Sequence, residues 1–258
     1  MCWHRSSRFD WMVRLGHPIH TVLVDSLHLT EGQTLLDLGC GQGGTLRCAV
    51  DQVPEISVIG LDLSRPALDR AMKLLSDADA RFDCVDLSQP LPLLDGTIDR
   101  IVCHNVLECL ADPEALLSEA ARILAPGGRA VWSHVDFGGI IVNASDESAN
   151  RTVLATYADL AQPWMNGNVD GLMGRKLPGL VRQSPFQIDA VRIHTSAAVE
   201  SEADALERLD EIVMALTSSP DCGLTPSFVA AWRSDIDELA ASGRFFFMEP
   251  TILVTAVP

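Results

Sequence analysis

The chain has 258 residues, of which 47% are hydrophobic and 21% are charged. Lys and Arg total 19 against 35 Asp and Glu, which gives a formal net charge of −16. Because such a surface repels phosphate backbones, we expect no nucleic-acid partner. No apolar run approaches the roughly 18 residues that a membrane-spanning helix needs, so we also expect no membrane association.

The cysteines point to a reducing compartment. There are seven of them, spread along the chain without a CxxC pair, and the first residues lack the apolar core of a signal peptide. An odd number of scattered cysteines favours free thiols over a disulfide framework or a zinc site. We therefore expect a cytoplasmic protein without a bound metal.

Predicted strands and helices alternate through the first half of the chain. Residues 1–31 are predicted to be helical, with an apolar-periodic stretch that begins at Pro18. Five predicted strands follow, separated by helices of about ten to fifteen residues; they are 34–38, 56–61, 81–85, 98–103 and 129–134. This alternation predicts an α/β fold with a doubly wound, mostly parallel sheet.

The pattern changes after Phe137. Residues 138–185 are mixed, 186–194 and 245–257 are predicted strands, and 201–217 and 225–242 are predicted amphipathic helices. We interpret residues 1–258 as one domain in four parts. These are an N-terminal helical cover (1–31), a cofactor-binding core (32–137), a helical lid or substrate segment (138–185), and the last two strands with inserted helices (186–258).

A glycine-rich turn follows the first predicted strand. Gly39, Gly41 and Gly44 match G-x-G-x-x-G, in which glycines let the backbone approach a ligand at the start of a helix. Asp62 ends the second predicted strand, where a carboxylate can accept hydrogen bonds from both hydroxyls of a ribose. These features alone fit NAD and an adenosyl-containing cofactor equally well.

Further residues separate the two cofactors. Asp37 stands two residues before the first glycine, and Asp86 ends the third predicted strand, where it could accept from an adenine amino group. Two more motifs follow, VCHNVLE at 102–108 and LAPGG at 124–128. Over residues 30–137 the chain resembles the class I S-adenosylmethionine-dependent methyltransferases, in particular the small-molecule group that includes the ubiquinone and menaquinone methyltransferases. The resemblance implies a seven-stranded sheet whose last strand is antiparallel.

The resemblance also implies a role for ten residues around S-adenosyl-L-methionine. Gly39, Cys40 and Gly41 would lie against its methionine part, and Asp37 would lie near its amino group. Asp62 would bind the ribose, Leu63 would pack on the adenine, and Asp86 and Leu87 would contact the adenine edge. His104 and Asn105 would lie beside the methionine and sulfonium. Alternatives are a turn-capping role for the aspartates, a structural histidine at His104, and a helix cap at Asn105.

The methyl acceptor is expected at the carboxyl ends of the fourth and fifth strands. His134, with Asp136 as the second candidate, is predicted to take the acceptor's proton or to orient the acceptor. A histidine that holds the lid closed is the alternative. Aromatic and Met residues could close over this edge; they are Trp3, Phe9, Trp11, Tyr157, Trp164, Met165 and Met173.

The sequence therefore predicts methylation of a small molecule at O, C or N, in secondary metabolism or quinone-like biosynthesis, with S-adenosyl-L-homocysteine as the product. Two alternatives stay open, a non-catalytic S-adenosylmethionine-binding scaffold and an NAD-dependent oxidoreductase. A homodimer is not excluded by the sequence.

Overall fold

A computed structural model describes residues 18–160, 170–200, 202–219 and 222–258. Predictions that concern the N-terminal cover before Pro18, including Trp3, Phe9 and Trp11, lie outside these residues, as do Trp164 and Met165. The helices are α1 (Pro18–Leu27), α2 (Gly44–Gln52), α3 (Arg65–Leu74), α4 (Pro113–Ile123), α5 (Glu147–Ala158), α6 (Met173–Gln183), α7 (Ala203–Thr217) and α8 (Pro226–Ala241).

The strands are β1 (Thr34–Leu38), β2 (Ser57–Asp62), β3 (Ala80–Cys84), β4 (Ile98–His104), β5 (Leu124–Val135), β6 (Ile141–Val142), β7 (Gln187–Ala198) and β8 (Phe247–Val257). They form one sheet in the order β3-β2-β1-β4-β5-β8-β6, with β7 also paired to β8. The pairs among β1 to β5 are parallel, and β6 pairs with β8 in antiparallel fashion. Among the described residues, no helix is both long enough and apolar enough to cross a membrane.

The sheet confirms the predicted fold class. Each of the five predicted parallel strands is present, as are the strands expected near 186–194 and 245–257. Two details differ from the sequence prediction. β5 already begins at Leu124 rather than at Arg129, and the two-residue strand β6 adds an eighth strand, which was not visible because so short a strand carries no periodicity. Helices α5 and α6 lie in the stretch that was described as mixed and assigned to a helical lid.

The chain divides into two compact units. The first contains residues up to His134, together with 176–192 and 253–258. Its apolar core joins α1, α2 and α3 to one face of the parallel sheet, through residues such as Leu23, Leu46 and Leu68. His20 of α1 supports the start of α2, because its Nδ1 lies 3.0 Å from Oγ1 of Thr45.

The second unit contains 135–175 and 193–252. Its centre is the buried Arg208 of α7, whose Nε and Nη2 donate to Oε1 of Glu249 over 2.8 and 2.7 Å. Nη1 donates to the hydroxyl of Tyr157 over 2.9 Å and to Glu211 over 3.3 Å. Burial of Glu211 raises its pKa to about 7, although the charge of Arg208 opposes this shift. These bonds join α5, α7 and β8 within this unit.

Candidate active site

The glycine-rich turn links the end of β1 to the start of α2 with an uncommon backbone. Gly39, Gly41 and Gly43 have φ angles of 79°, 52° and 85°, values that L side chains rarely adopt. A side chain at Gly39 would also collide with Val106. The amides of Gly39 and Cys40 both donate to the carbonyl of Leu61, over 2.7 and 3.1 Å, so the turn is tied to β2.

Cys40 lies in this turn with 7% of its surface exposed. Burial, together with the charges of Asp37 and Asp62, raises the pKa of its thiol above the ordinary value. A thiol with a raised pKa is a poor nucleophile. Cys40 therefore contributes its backbone and its apolar volume to the turn rather than reactive sulfur.

Asp62 holds the other side of the same turn. Its Oδ2 accepts from the amide of Gly41 over 2.8 Å, and its Oδ1 accepts from the amide of Ser64 over 2.8 Å. Burial raises the pKa of this carboxyl, and the backbone hydrogen bonds lower it. The backbone of Leu63 contributes a third hydrogen bond to this carboxyl. Since a carboxylate has about four acceptor positions, about one remains for a hydroxyl of a ligand.

Asp37 is the most unusual charged group in the first unit. It lies near the end of β1, and only 3% of its surface is exposed. Desolvation and the charge of Asp62 raise its pKa to about 8. A buried carboxyl in this condition binds either a proton or a cationic group, because either one removes the cost of an isolated buried charge.

The residues expected around the adenine lie beyond β2 and β3. The amide of Val85 donates to the carbonyl of Asp62 over 3.1 Å, which draws these two strand ends together. Asp86 is exposed, and its Oδ1 accepts from the amide and the hydroxyl of Ser88, which lowers its pKa. Leu63 is 58% exposed, whereas Leu87 is buried. An apolar side chain and an ionised carboxylate therefore stand at neighbouring strand ends.

His104 and Asn105 end β4 in a small hydrogen-bonded network. Nδ1 of His104 lies 2.7 Å from Oγ of Ser133, its register partner on β5. Nδ2 of Asn105 lies 3.3 Å from Nε2 of His104. Asn105 itself has a φ of 53°, and the 3₁₀ turn Leu107–Cys109 that follows has Val106 at its N-cap, without a side-chain cap. The side chain of Asn105 thus contacts His104 instead of capping a helix.

The two predicted catalytic residues are both buried, and they fall in different units. His134 is 0% exposed, and its Nε2 contacts Oε2 of Glu108, which is 2% exposed. Asp136 is 6% exposed, and both of its carboxylate oxygens accept from Nε of Arg175, over 3.1 and 2.8 Å. The strand pattern had suggested that both side chains lie open at the edge of the sheet. Both are buried instead.

Sequence reasoning missed three partners of these side chains. Glu108 was part of a quoted motif without a role, Ser133 was treated only as strand, and Arg175 lies in the stretch that showed no regular pattern. Only Ser133 carried a signal, because parallel strands that end together bring register partners side by side. In the part of the chain that is described, no group of three His, Cys, Asp or Glu side chains is arranged to hold a metal ion.

Part of the chain matches a known protein family. Residues 36–132 match the family model described as a methyltransferase domain. These residues, with the turn, Asp37 and Asp62 described above, form a class I S-adenosylmethionine-dependent methyltransferase domain. The cofactor of this family is S-adenosyl-L-methionine.

Two relatives and one solved structure illustrate the similarity. An uncharacterized 37.1 kDa protein in transposon TN4556 of Streptomyces fradiae is 31% identical over 92% of this chain and 66% of its own length. A ubiquinone biosynthesis O-methyltransferase of Pseudomonas paraeruginosa is 29% identical over 52% of this chain and 57% of its own. The geranyl diphosphate C-methyltransferase of Streptomyces coelicolor, solved with S-adenosyl-L-homocysteine, has a TM-score of 0.55 at 19% identity, covering 98% of this chain and 84% of that one.

These similarities support different conclusions. The similarity to the solved structure shows a shared fold and nothing more, because the sequence identity is only 19%. The chain spans less than two thirds of the length of either curated relative. The methyltransferase domain is therefore shared over residues 36–132.

Proposed function

We propose that this protein is an enzyme that transfers a methyl group from S-adenosyl-L-methionine to a small molecule. The observation that carries the proposal is the buried Asp37, whose pKa is about 8 beside the rigid glycine-rich turn. This carboxyl needs a cationic partner to remain ionised near neutral pH. The α-ammonium group of the cofactor's methionine part provides that charge.

The remaining cofactor residues have complementary roles in this proposal. Asp62 has about one acceptor position left for the ribose hydroxyls, and Asp86 has its second carboxylate oxygen for the adenine amino group. Leu63 covers the adenine face, because more than half of this leucine is otherwise left in water. Leu87, His104 and Asn105 complete the predicted set at the adenine edge and the sulfonium.

The chemistry is an in-line displacement at the methyl carbon. A bond forms between the acceptor atom and the methyl group, the carbon–sulfur bond breaks, and its electron pair stays on sulfur in S-adenosyl-L-homocysteine. The protein contributes mainly proximity, alignment and the exclusion of competing water. O-, C- and N-methylation all follow this scheme, in secondary metabolism or quinone-like biosynthesis.

His134 and Asp136 were predicted to take a proton or to orient the acceptor, but their surroundings favour a structural role for both. His134 is enclosed with Glu108, so its imidazole serves best to fix the end of β5. Both oxygens of Asp136 accept from Arg175, which leaves this carboxylate better suited to positioning its segment than to abstracting a proton.

The cysteines bear on where the protein acts. Six cysteines in the described part of the chain are free thiols, which fits the cytoplasm as the site of action.

Two other functions are less well supported. A dinucleotide such as NAD places its pyrophosphate at the glycine-rich turn, where the buried Asp37 would meet a negative charge instead of an ammonium group. A non-catalytic scaffold would bind the same cofactor without turnover. A scaffold and an enzyme need the same predicted cofactor residues, so only turnover separates these two alternatives.

Calorimetric titration and a labelled turnover assay test the proposal. S-adenosyl-L-methionine and S-adenosyl-L-homocysteine should bind, and NADH should not. Incubation with methyl-deuterated cofactor and the low-molecular-weight fraction of a bacterial extract should yield S-adenosyl-L-homocysteine and a product heavier by the labelled methyl group in mass spectrometry. Binding without any turnover would favour the scaffold, and binding of NADH alone would overturn the proposal.

A further inference from the structure

His104 differs from His134 in how it is held and in how much of it is exposed. The imidazole of His104 is half-buried at the carboxyl end of β4, the edge where ligands bind in open α/β sheets. His134, one residue beyond the register partner of His104 on β5, is fully enclosed. Of these two histidines, only His104 therefore presents part of its side chain outside the protein interior.

Two hydrogen-bond contacts of His104 fit one tautomer of its imidazole. The side-chain nitrogen of Asn105 is a donor, and it lies 3.3 Å from Nε2 of His104, which suits an acceptor at Nε2. Nδ1 lies 2.7 Å from Oγ of Ser133, which suits a hydrogen on Nδ1. Together these contacts fit an imidazole with its basic nitrogen at Nε2.

The backbone of Asn105 is adapted to this contact. Its φ of 53° is uncommon for a residue other than glycine, although asparagine adopts it more readily than most. The amide of Asn105 donates to the carbonyl of Ser133 over 3.0 Å, so the turn is fixed to the same residue that binds the imidazole. Strained positions of this kind persist where the surrounding structure determines them, often at functional sites.

We infer that His104 accepts the proton of the methyl acceptor through Nε2, and that Ser133 and Asn105 are positioning residues that hold its imidazole neutral. This inference rests on the proposed function. It commits the enzyme to acceptors whose reacting atom carries a removable proton, such as an enol, a phenol or an activated methine carbon.

The reaction step balances without a further reagent. The oxygen or carbon of the acceptor attacks the methyl carbon, while its proton passes to Nε2 of His104. The electron pair of the broken carbon–sulfur bond stays on sulfur, which loses its positive charge, and the imidazole becomes an imidazolium. Release of that proton to water restores the neutral histidine after the product leaves. During the transfer, the hydrogen bond from the side-chain Nδ2 of Asn105 to Nε2 of His104 breaks, and the acceptor's hydrogen takes its place at Nε2.

The ligand-free protein gives the first test. In ¹⁵N-labelled protein, the two ring nitrogens of His104 have separate chemical shifts, assigned by comparison with the His104→Gln variant. The inference requires a protonated Nδ1 and an unprotonated Nε2 at neutral pH. Ser133→Ala should change this pattern to a mixture of tautomers, and Asn105→Gly, which tolerates the positive φ, should preserve the backbone turn. A protonated Nε2 in the wild-type protein would overturn the inference without touching the proposed function.

Turnover gives the second test, with the metabolite fraction as the source of acceptor. His104→Gln keeps a side chain that can hydrogen-bond Ser133 but cannot accept the proton, so kcat should fall by roughly 10²–10⁴. The acidic limb of the kcat–pH profile should disappear with it, and the affinity for S-adenosyl-L-homocysteine is measured alongside to separate a lost cofactor contact from a lost base. His28→Gln is the matched control, because His28 is exposed. The kcat of His134→Gln should be at least about tenfold higher than that of His104→Gln. If the wild-type protein shows no turnover, the proposed function fails; if it turns over and His104→Gln keeps both its rate and its acidic limb, only this inference fails.

Discussion

Asp37 lies near the end of β1 and Asp62 ends the neighbouring strand β2, and burial of Asp37 together with the charge of Asp62 raises the pKa of Asp37 to about 8. Ionisation of Asp37 therefore has an electrostatic cost in the ligand-free protein. A cationic ligand relieves this cost. The relationship therefore links the stability of the empty protein, its pH dependence and its cofactor affinity.

The first prediction concerns stability. The folded-state pKa of Asp37 is above its ordinary value of 3.8, so the folded protein holds a proton that the unfolded chain releases. This contribution to stability is complete below about pH 4 and decreases by up to about 1.4 kcal/mol per pH unit until about pH 8. Asp37→Asn should remove that loss and raise the Tm of the ligand-free protein at pH 8, but hardly at pH 4.5. Thermal scans of both proteins across this range measure the effect, and an equal pH dependence in the two would contradict it.

The second prediction concerns cofactor affinity. The ammonium group of S-adenosyl-L-homocysteine must meet an ionised Asp37, so a proton on Asp37 competes with the ligand. The Kd should fall by up to about tenfold per pH unit as the pH rises from 6 towards 8, and then level off. Asp37→Asn should bind weakly with a nearly flat profile. Calorimetric titration at several pH values provides the Kd, and a wild-type profile as flat as that of the variant would exclude Asp37 as the ammonium partner.

The third prediction separates the two functions of Asp62. Asp62→Ala removes the acceptor for the amides of Gly41 and Ser64 as well as the expected ribose contacts. Each lost charge-assisted hydrogen bond is worth about 1.5–3 kcal/mol, so affinity should fall by at least tenfold in a protein that is still folded. Asp69→Ala on the exposed side of α3 is the control. Unchanged affinity in a folded Asp62→Ala protein would refute the ribose assignment.

The fourth prediction concerns the enclosed pair of Glu108 and His134. His134→Ala leaves the Glu108 carboxylate buried without its imidazole, which should cost about 3–5 kcal/mol of the free energy of unfolding. His134→Gln should cost clearly less, because its amide can donate to the carboxylate. Urea denaturation of both variants measures the difference. Equal losses would mean that the contact with Glu108 does not stabilise the fold.

The fifth prediction concerns Arg208 in the second unit. Arg208→Ala removes the donor of Glu249 and Tyr157 and leaves Glu249 buried, so it should cost about 3–5 kcal/mol. Arg151→Ala is the matched control, since Arg151 is 73% exposed and lies 3.9 Å from Glu147. The control should change stability by less than about 0.5 kcal/mol. Hydrogen exchange of α5 and α7 should accelerate in Arg208→Ala; a loss as small as that of the control would contradict a stabilising network.

The amino-acid sequence by itself determined the parallel sheet and the turn. Apolar strands with regular helices between them pack in few ways, and a glycine such as Gly39 is required where a positive φ and the close approach of Val106 exclude any side chain. The aspartates at the strand ends could be located from the same pattern, because parallel strands present their carboxyl ends at one edge. The positions of Asp37, Asp62 and Asp86 near that edge were therefore predicted without coordinates.

Only the tertiary structure decided how the polar side chains at β4 and β5 are paired. Strand alternation placed His134 at a rim, but alternation does not tell which face the neighbouring elements cover, and the side chain is enclosed with Glu108. The bond from His104 to Ser133 depends on a register between strands that are separated in sequence. Likewise, Arg175 and Arg208 lie on helices whose partners come from distant segments. Such pairings depend on packing in three dimensions, which local sequence patterns do not encode.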